Sequence, residues 1–213
     1  RARNIRNSYI EYKDFDSNLN IIKAISNDCE IPKYAANVVY ISKSESPDKV
    51  ESKLLYSIIN KHPKRADHYW VIRVHYDDAP DTLEYKYDIL IPHTLVSIDI
   101  TIGFRIQPQV SVYLRQIVED LVAAGEIDLT SSYPSLREYG IAGDFRFIII
   151  HRVFSPSSNC PASYRLVMGI YGFLRHIGLS DEKALGLDTS SVTVENVPLI
   201  ITTGVSRRIR CVK

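Results

Sequence analysis

Val96, Ile98, Ile100, Ile102 and Phe104 alternate with Ser97, Asp99, Thr101, Gly103 and Arg105. Only a β-strand puts such a period-2 set of apolar side chains on one face, so this run fixes a strand. Just upstream, Leu83, Tyr85 and Tyr87 alternate with Glu84 and Lys86, and Pro92-His93 makes a turn between the two runs. Two alternating runs joined by a short turn predict an antiparallel pair in the middle of the chain.

Helical periodicity takes over on both sides. Phe15, Leu19, Ile22 and Ile25 recur at helical spacing behind Asp16 and Ser17, either of which can cap a first turn, and Ile31-Pro32 ends the helix. Val38-Val39-Tyr40-Ile41 is a short buried strand. Ser46-Pro47 starts a second helix with Val50, Leu54, Leu55, Ile58 and Ile59 on its apolar face, and the run from Tyr69 to Val74 is the next strand. Strand, helix and strand in that order make a βαβ unit with a right-handed crossover. Pro108 opens a third helix with Val110, Leu114, Ile117, Val118 and Leu121 inward and Gly125 at its end. Phe145 to Ile150 reads as a strand. A fourth helix carries Val167, Ile170, Tyr171, Leu174 and Ile177, and Leu199 to Thr203 closes the fold as a strand. The pattern predicts a single α/β domain with a mixed β-sheet, an early βαβ unit and a central antiparallel hairpin, flanked by about four amphipathic helices.

The chain has 213 residues and is 45% hydrophobic, enough for one large core. Lys and Arg number 26 against 25 Asp and Glu, so bulk charge asks for no nucleic acid and any basic site must be local. Cys29, Cys160 and Cys211 are odd in number and form no CxxC pair, which speaks against a disulfide framework and a zinc site. No stretch reaches the roughly 18 apolar residues of a membrane span. The basic opening Arg1-Ala-Arg-Asn-Ile-Arg6 is either a solvated face or a juxtamembrane segment held by positive charge.

Catalytic motifs are missing. There is no GxSxG elbow, no Walker A loop and no GxGxxG after a strand, and no histidine pairs with His, Cys or Glu at metal-ligand spacing. The candidate binding residues centre on arginine. Arg105 continues the polar phase of the long strand beside Gly103, which lets a ligand or another backbone approach closely. Arg146, after Asp144, points away from the core-facing Phe145 and Phe147. A guanidinium fork suits phosphate oxygens and stacks on bases, and it equally suits a neighbouring carboxylate such as Asp99 or Asp144. Arg65 and Tyr69, in Lys64-Arg-Ala-Asp-His-Tyr-Trp70, mix a cation with an aromatic as a nucleotide site would, although such a segment can be a solvated loop leading into core. Arg137 completes the candidate set.

Several segments together resemble the C-terminal cytosolic region of bacterial KUP potassium transporters. They are Ile31-Pro-Lys-Tyr-Ala35, Lys64-Arg-Ala-Asp67 with Tyr69-Trp70, Glu84-Tyr-Lys86, Gly103-Phe-Arg105, Gly143-Asp-Phe-Arg-Phe147 and Gly186-Leu-Asp-Thr-Ser-Ser-Val-Thr-Val-Glu195. Val118-Glu-Asp-Leu121, Gly125-Glu126, Tyr133 and Ser135-Leu-Arg137 belong to the same likeness, which covers essentially the whole chain. The resemblance implies a juxtamembrane segment over 1–14 and a cytosolic α/β regulatory domain over 15–213, on the cytoplasmic side of the cell membrane. It further implies that the intact protein moves potassium inward with protons through a separate transmembrane part of the same polypeptide. This chain is then a homodimeric partner of that part, not an enzyme, and needs no cofactor.

Some bacterial potassium importers similar to this one are inhibited by cyclic di-AMP, a twofold-symmetric ligand that a shared dimer groove would match. The expectation is therefore a regulatory domain binding cyclic di-AMP. A purely structural dimerisation tail without ligand is the alternative.

Overall fold

In the computed structural model of the chain, described residues are 12–14, 16–42, 49–130, 133–154, 181–187 and 191–199. They form, in order, β1 (Tyr12–Asp14), α1 (Asp16–Asn27), β2 (Asn37–Ser42), β3 (Lys49–Glu51), α2 (Ser52–Ile59), β4 (His68–Asp77), β5 (Leu83–Ile91), β6 (Leu95–Gly103), α3 (Val110–Ala123), α4 (Pro134–Glu138), β7 (Phe145–Phe154), α5 (Asp181–Ala184) and β8 (Val192–Leu199). Two compact units share the chain, one of Glu11–Ile150 with Ser180–Glu195 and one of Arg1–Ile10, His151–Leu179 and Asn196–Lys213. Most of the second unit lies outside the described residues, so the fold below is that of the first.

Six strands form one mixed sheet in the order β5-β6-β4-β2-β7-β8, and β1 pairs separately with β3. β2 is parallel to β4 and to β7, β4 is parallel to β6, and β5 is antiparallel to β6. The βαβ unit is thus β2–α2–β4, and the central hairpin is β5–β6. From β2 the chain builds outward through β4 to β6, then returns to add β7 on the other side of β2. Strand order therefore reverses between β2 and β7.

Both sheet faces are covered, each by the helices whose apolar stripes fit it. On one face Val39, Trp70, Ile72, Val96, Ile98, Ile100, Ile102, Phe147 and Ile149 meet Val110, Leu114, Ile117, Val118 and Leu121 of α3. On the other, Val38, Tyr40, Tyr69, Val71, Leu95 and Ile148 meet Ile22 of α1 and Leu54, Leu55 and Ile58 of α2. α3 stops as its sequence requires. Gly125 has φ 75°, its N–H donates to Val122 O and Glu126 N–H donates to Leu121 O, the paired bonds of a glycine-terminated helix.

Several boundaries differ from expectation. Lys49–Glu51 is strand and α2 begins only at Ser52, because the chain pairs with β1 before it turns helical. The expected strand beginning at Leu199 instead ends there, since Val192–Leu199 is β8 and residues 200–203 lie outside the described set. The fourth expected helix, Val167 to Ile177, also lies outside the described residues.

Trp70 is fully buried at the centre of the α3 face, and its indole N–H donates to Asn37 Oδ1 at 3.2 Å. Trp70→Ala should cost about 3–5 kcal/mol by losing both the packing and that bond. Arg65→Ala should cost only about 1 kcal/mol. Urea denaturation of both variants checks the contrast, and equal midpoints would contradict it.

Candidate functional site

Five of the six candidates divide between the two ends of the parallel strands. Arg65, Tyr69, Asp144 and Arg146 lie at the amino-terminal ends. Asp144 Oδ1 accepts from Ala36 N–H at 2.9 Å and its carbonyl accepts from Asn37 N–H at 2.9 Å, so the residue splices β7 onto β2. Arg146 is about half exposed and sits 3.7 Å from Asp144 Oδ2. Arg65 reaches back to Ser26 O and Ile31 O, both at 3.4 Å, and holds the end of α1. Tyr69 is buried. Burial pushes its hydroxyl up to about 12, and as a neutral group it donates to Lys64 O and accepts from Ala66 N–H. Arg137 lies on the exposed face of α4.

Arg105 is at the opposite end. Strand β6 stops at Gly103, and Arg105 stands in the exposed turn beyond it, its guanidinium over the Phe104 ring at 5.9 Å. Gly103 admits backbone, because a side chain there would collide with Ala79 O and Pro80 O. Phe145 is level with Asn37 and His68, while Gly103 is level with Asp77. That difference in level along β4 puts Arg105 and Arg146 about 30 Å apart at ~3.3 Å per residue.

A different arginine occupies the interior. Arg73 on β4 is 2% exposed and stands opposite Asp99 of β6 in register. Its Nε and Nη2 donate to Asp99 Oδ1 and Oδ2 at 2.6 and 2.7 Å, and Nη2 also donates to Ser97 Oγ at 2.8 Å. His75 Nε2 lies 2.9 Å from Asp99 Oδ1. Burial by itself would raise the Asp99 carboxyl, but the bonds and charges of Arg73 and His75 outweigh it and hold the group below its ordinary value. Arg73 Nη1 is buried and has no hydrogen-bond partner among the described residues. Two N–H donors therefore remain unspent on a fixed, charged fork, an arrangement suited to an anionic oxygen. Arg73 is also level with Ser42, the last residue of β2, next to the place where strand order reverses. The signal in the sequence was a lone charge in the apolar run Tyr69 to Val74, with Asp99 at the polar phase of β6 to partner it.

A second polar network locks the strand carrying Glu195. Lys64 is 3% exposed, and its ammonium lies 3.0 Å from Glu195 Oε1 and donates to Ser57 O at 2.7 Å. Ser57 Oγ donates to Glu195 Oε2 at 2.7 Å and lies 3.2 Å from the Tyr40 hydroxyl. Burial raises the Glu195 carboxyl, yet the Ser57 and Lys64 bonds with the Lys64 and Lys61 charges win and lower it. No cluster of three or more His, Cys, Asp or Glu able to hold a metal occurs among the described residues.

The family model described as K+ potassium transporter C-terminal domain matches residues 35–206. The chain belongs to that family. It is 38% identical over 200 residues to the probable potassium transport system protein Kup of Cytophaga hutchinsonii, covering 94% of this chain and 30% of the relative. The protein of the same name from Flavobacterium psychrophilum is 37% identical over 94% of this chain and 31% of the relative, and that from Clostridium perfringens 36% over 92% and 30%. The chain thus spans about 30% of the length of the curated relatives it matches. No solved structure matches it. Among the described residues no helix is long and apolar enough to cross a membrane.

In this K+ transporter C-terminal domain the buried Lys64–Glu195 pair yields a directional test. Glu195→Gln leaves the Lys64 ammonium buried without its counter-charge and should destabilise by about 3–5 kcal/mol, while Lys64→Met with Glu195→Leu should recover most of that loss. Because the carboxyls of Asp99 and Glu195 are held low, their contribution is complete above the ordinary carboxylate range and is lost as pH falls through their folded values. Melting curves from pH 7 down to 3 should show wild type losing stability steeply and the double variant less so.

Proposed function

We propose that this chain is the cytosolic regulatory and assembly domain of a proton-coupled potassium uptake transporter, and that it takes cyclic di-AMP as an inhibitory effector. Membership of the potassium transporter family supports the context, since the relatives carry potassium transport names over longer chains. The observation that carries the effector reading is Arg73. In open parallel sheets, ligands bind beyond the carboxyl ends of strands where strand order reverses. Here that reversal falls between β2 and β7, and a preorganised guanidinium with spare donors stands one strand away. Arg73 lies midway along β4 but level with the last residue of β2, Arg105 stands just beyond the carboxyl end of β6, and Arg146 is at the amino-terminal end of β7. The site we propose within one chain therefore uses Arg73 and Arg105, not Arg105 and Arg146.

Such a domain does no chemistry on its ligand. It acts by binding one conformation of the transporter better than another, which moves the equilibrium between them by the difference in binding free energy. A purely structural tail is the competing reading, in which Arg73 and Asp99 are only an inter-strand pair.

Calorimetry with cyclic di-AMP, with AMP and ATP as controls, separates the two. Wild type should bind cyclic di-AMP and melt higher by RT ln(1 + [L]/Kd). Arg73→Lys keeps the charge but loses the fork, and should weaken binding at least tenfold. Arg105→Ala should weaken it less, and Arg146→Ala should leave it unchanged. Loss of binding only in Arg146→Ala would move the site to the amino-terminal ends. No binding to wild type would leave the structural tail.

A further inference from the structure

Strand β5 is an edge of the six-stranded sheet. It pairs with β6 on one side, and its run from Leu83 to Ile89 is regular before a register shift between Ile89 and Ile91. The run contains no proline. An edge of this kind presents unpaired N–H and C=O groups to any strand that can lie beside it. Leu83, Tyr85 and Tyr87 are all exposed on one face, with the two tyrosine rings stacked at 6.5 Å and the Tyr85 hydroxyl donating to Asp120 Oδ2 at 2.8 Å. Glu84, Lys86 and Asp88 are exposed on the other. Three large apolar side chains in a row on an edge with no second strand beside it among the described residues are more than scattered surface exposure.

The charge order says what fits there. A twofold axis perpendicular to the sheet would pair β5 with β5 of a second copy in antiparallel register, keeping each copy's aromatic face on the same side. Centred on Tyr85, this register sets Glu84 against Lys86 of the partner twice, Leu83 against Tyr87 twice and Tyr85 against itself. Centred on Lys86, it would set Lys86 against Lys86 and Glu84 against Asp88, like against like. Centred on Tyr87, it would set Lys86 against Asp88 twice, but would bring Glu84 and Leu83 against Leu90 and Ile91, across the irregularity after Ile89. Opposite charges and aromatic pairs directly across two strands stabilise a ladder, and like charges weaken it.

We infer that β5 is a homodimer edge, on which a second copy of this chain docks antiparallel about Tyr85 and extends the sheet across the twofold. This deepens the assembly half of the function proposed above. It does not involve the nucleotide, so it is measured without one.

The experiment is sedimentation equilibrium of the purified 213-residue chain and three variants at 1–100 µM, with circular dichroism to confirm folding. Wild type should dimerise. Glu84→Lys and Lys86→Glu each create two like-charge pairs, and each should weaken dimerisation at least tenfold. The double variant, Glu84→Lys with Lys86→Glu, restores opposite charges only in the Tyr85-centred register and should recover the wild-type dimer. A wild type that stays monomeric throughout overturns the inference. So does a folded single variant that dimerises as wild type, or a double variant no better than either single one. A monomer that captures an added strand peptide of another protein would assign the edge to that partner and likewise overturn it.

Discussion

The buried contact between Lys64 and Glu195 holds the fold together from its far ends. Ser57 and Glu195 are 138 residues apart in sequence, yet their side chains bond directly, with Lys64 and Tyr40 closing the same network. One carboxylate thereby ties β8 to α2, to the approach to β4 and to β2. Burying an ammonium is costly unless its charge is met and its donors are used, so this junction tolerates no partial version of itself. Lys64 meets both conditions, through Glu195 and through the Ser57 carbonyl and hydroxyl.

What was legible in the sequence is what depends on periodicity. The β5–β6 pair, the β2–α2–β4 unit and α3 follow from where apolar residues recur, and α3 ends where its glycine requires. Boundaries set by pairing were not legible. Lys49–Glu51 carries no strand pattern of its own and is extended because β1 lies beside it. Thr193 and Glu195 interrupt the apolar pattern of Val192 to Leu199, so periodicity does not mark that strand, and the buried Glu195 is answered by a lysine that sequence order places far away.

The binding residues show the same division. Arginines beside glycines and aromatics attract notice, yet Arg65, Tyr69 and Asp144 are spent on joining α1, β2, β4 and β7. These joints coincide with Ile31 to Ala35, Lys64 to Asp67 and Gly143 to Phe147, so motifs that mark the family here do architectural work. A collision with Ala36 gives Gly143 its reason. Arg73 was harder to see because alternation treats it as a strand residue like its neighbours. Only the sheet register, which puts Asp99 opposite, reveals a salt bridge with donors to spare.

The hairpin of β5 and β6 also orders events in time. β5 and β6 are joined by a tight turn, and a hairpin of that kind closes in about 1–10 µs once its residues exist. Strand β7 must wait for α3, and β8 is the last in chain order of the strands among the described residues. As the chain leaves the ribosome from its amino-terminal end, the half of the sheet from β2 to β6 can therefore assemble while Lys64 is still hydrated. Glu195 comes last in chain order among the members of that network, so until β8 is made the Lys64 ammonium lacks the carboxylate that meets it in the finished fold.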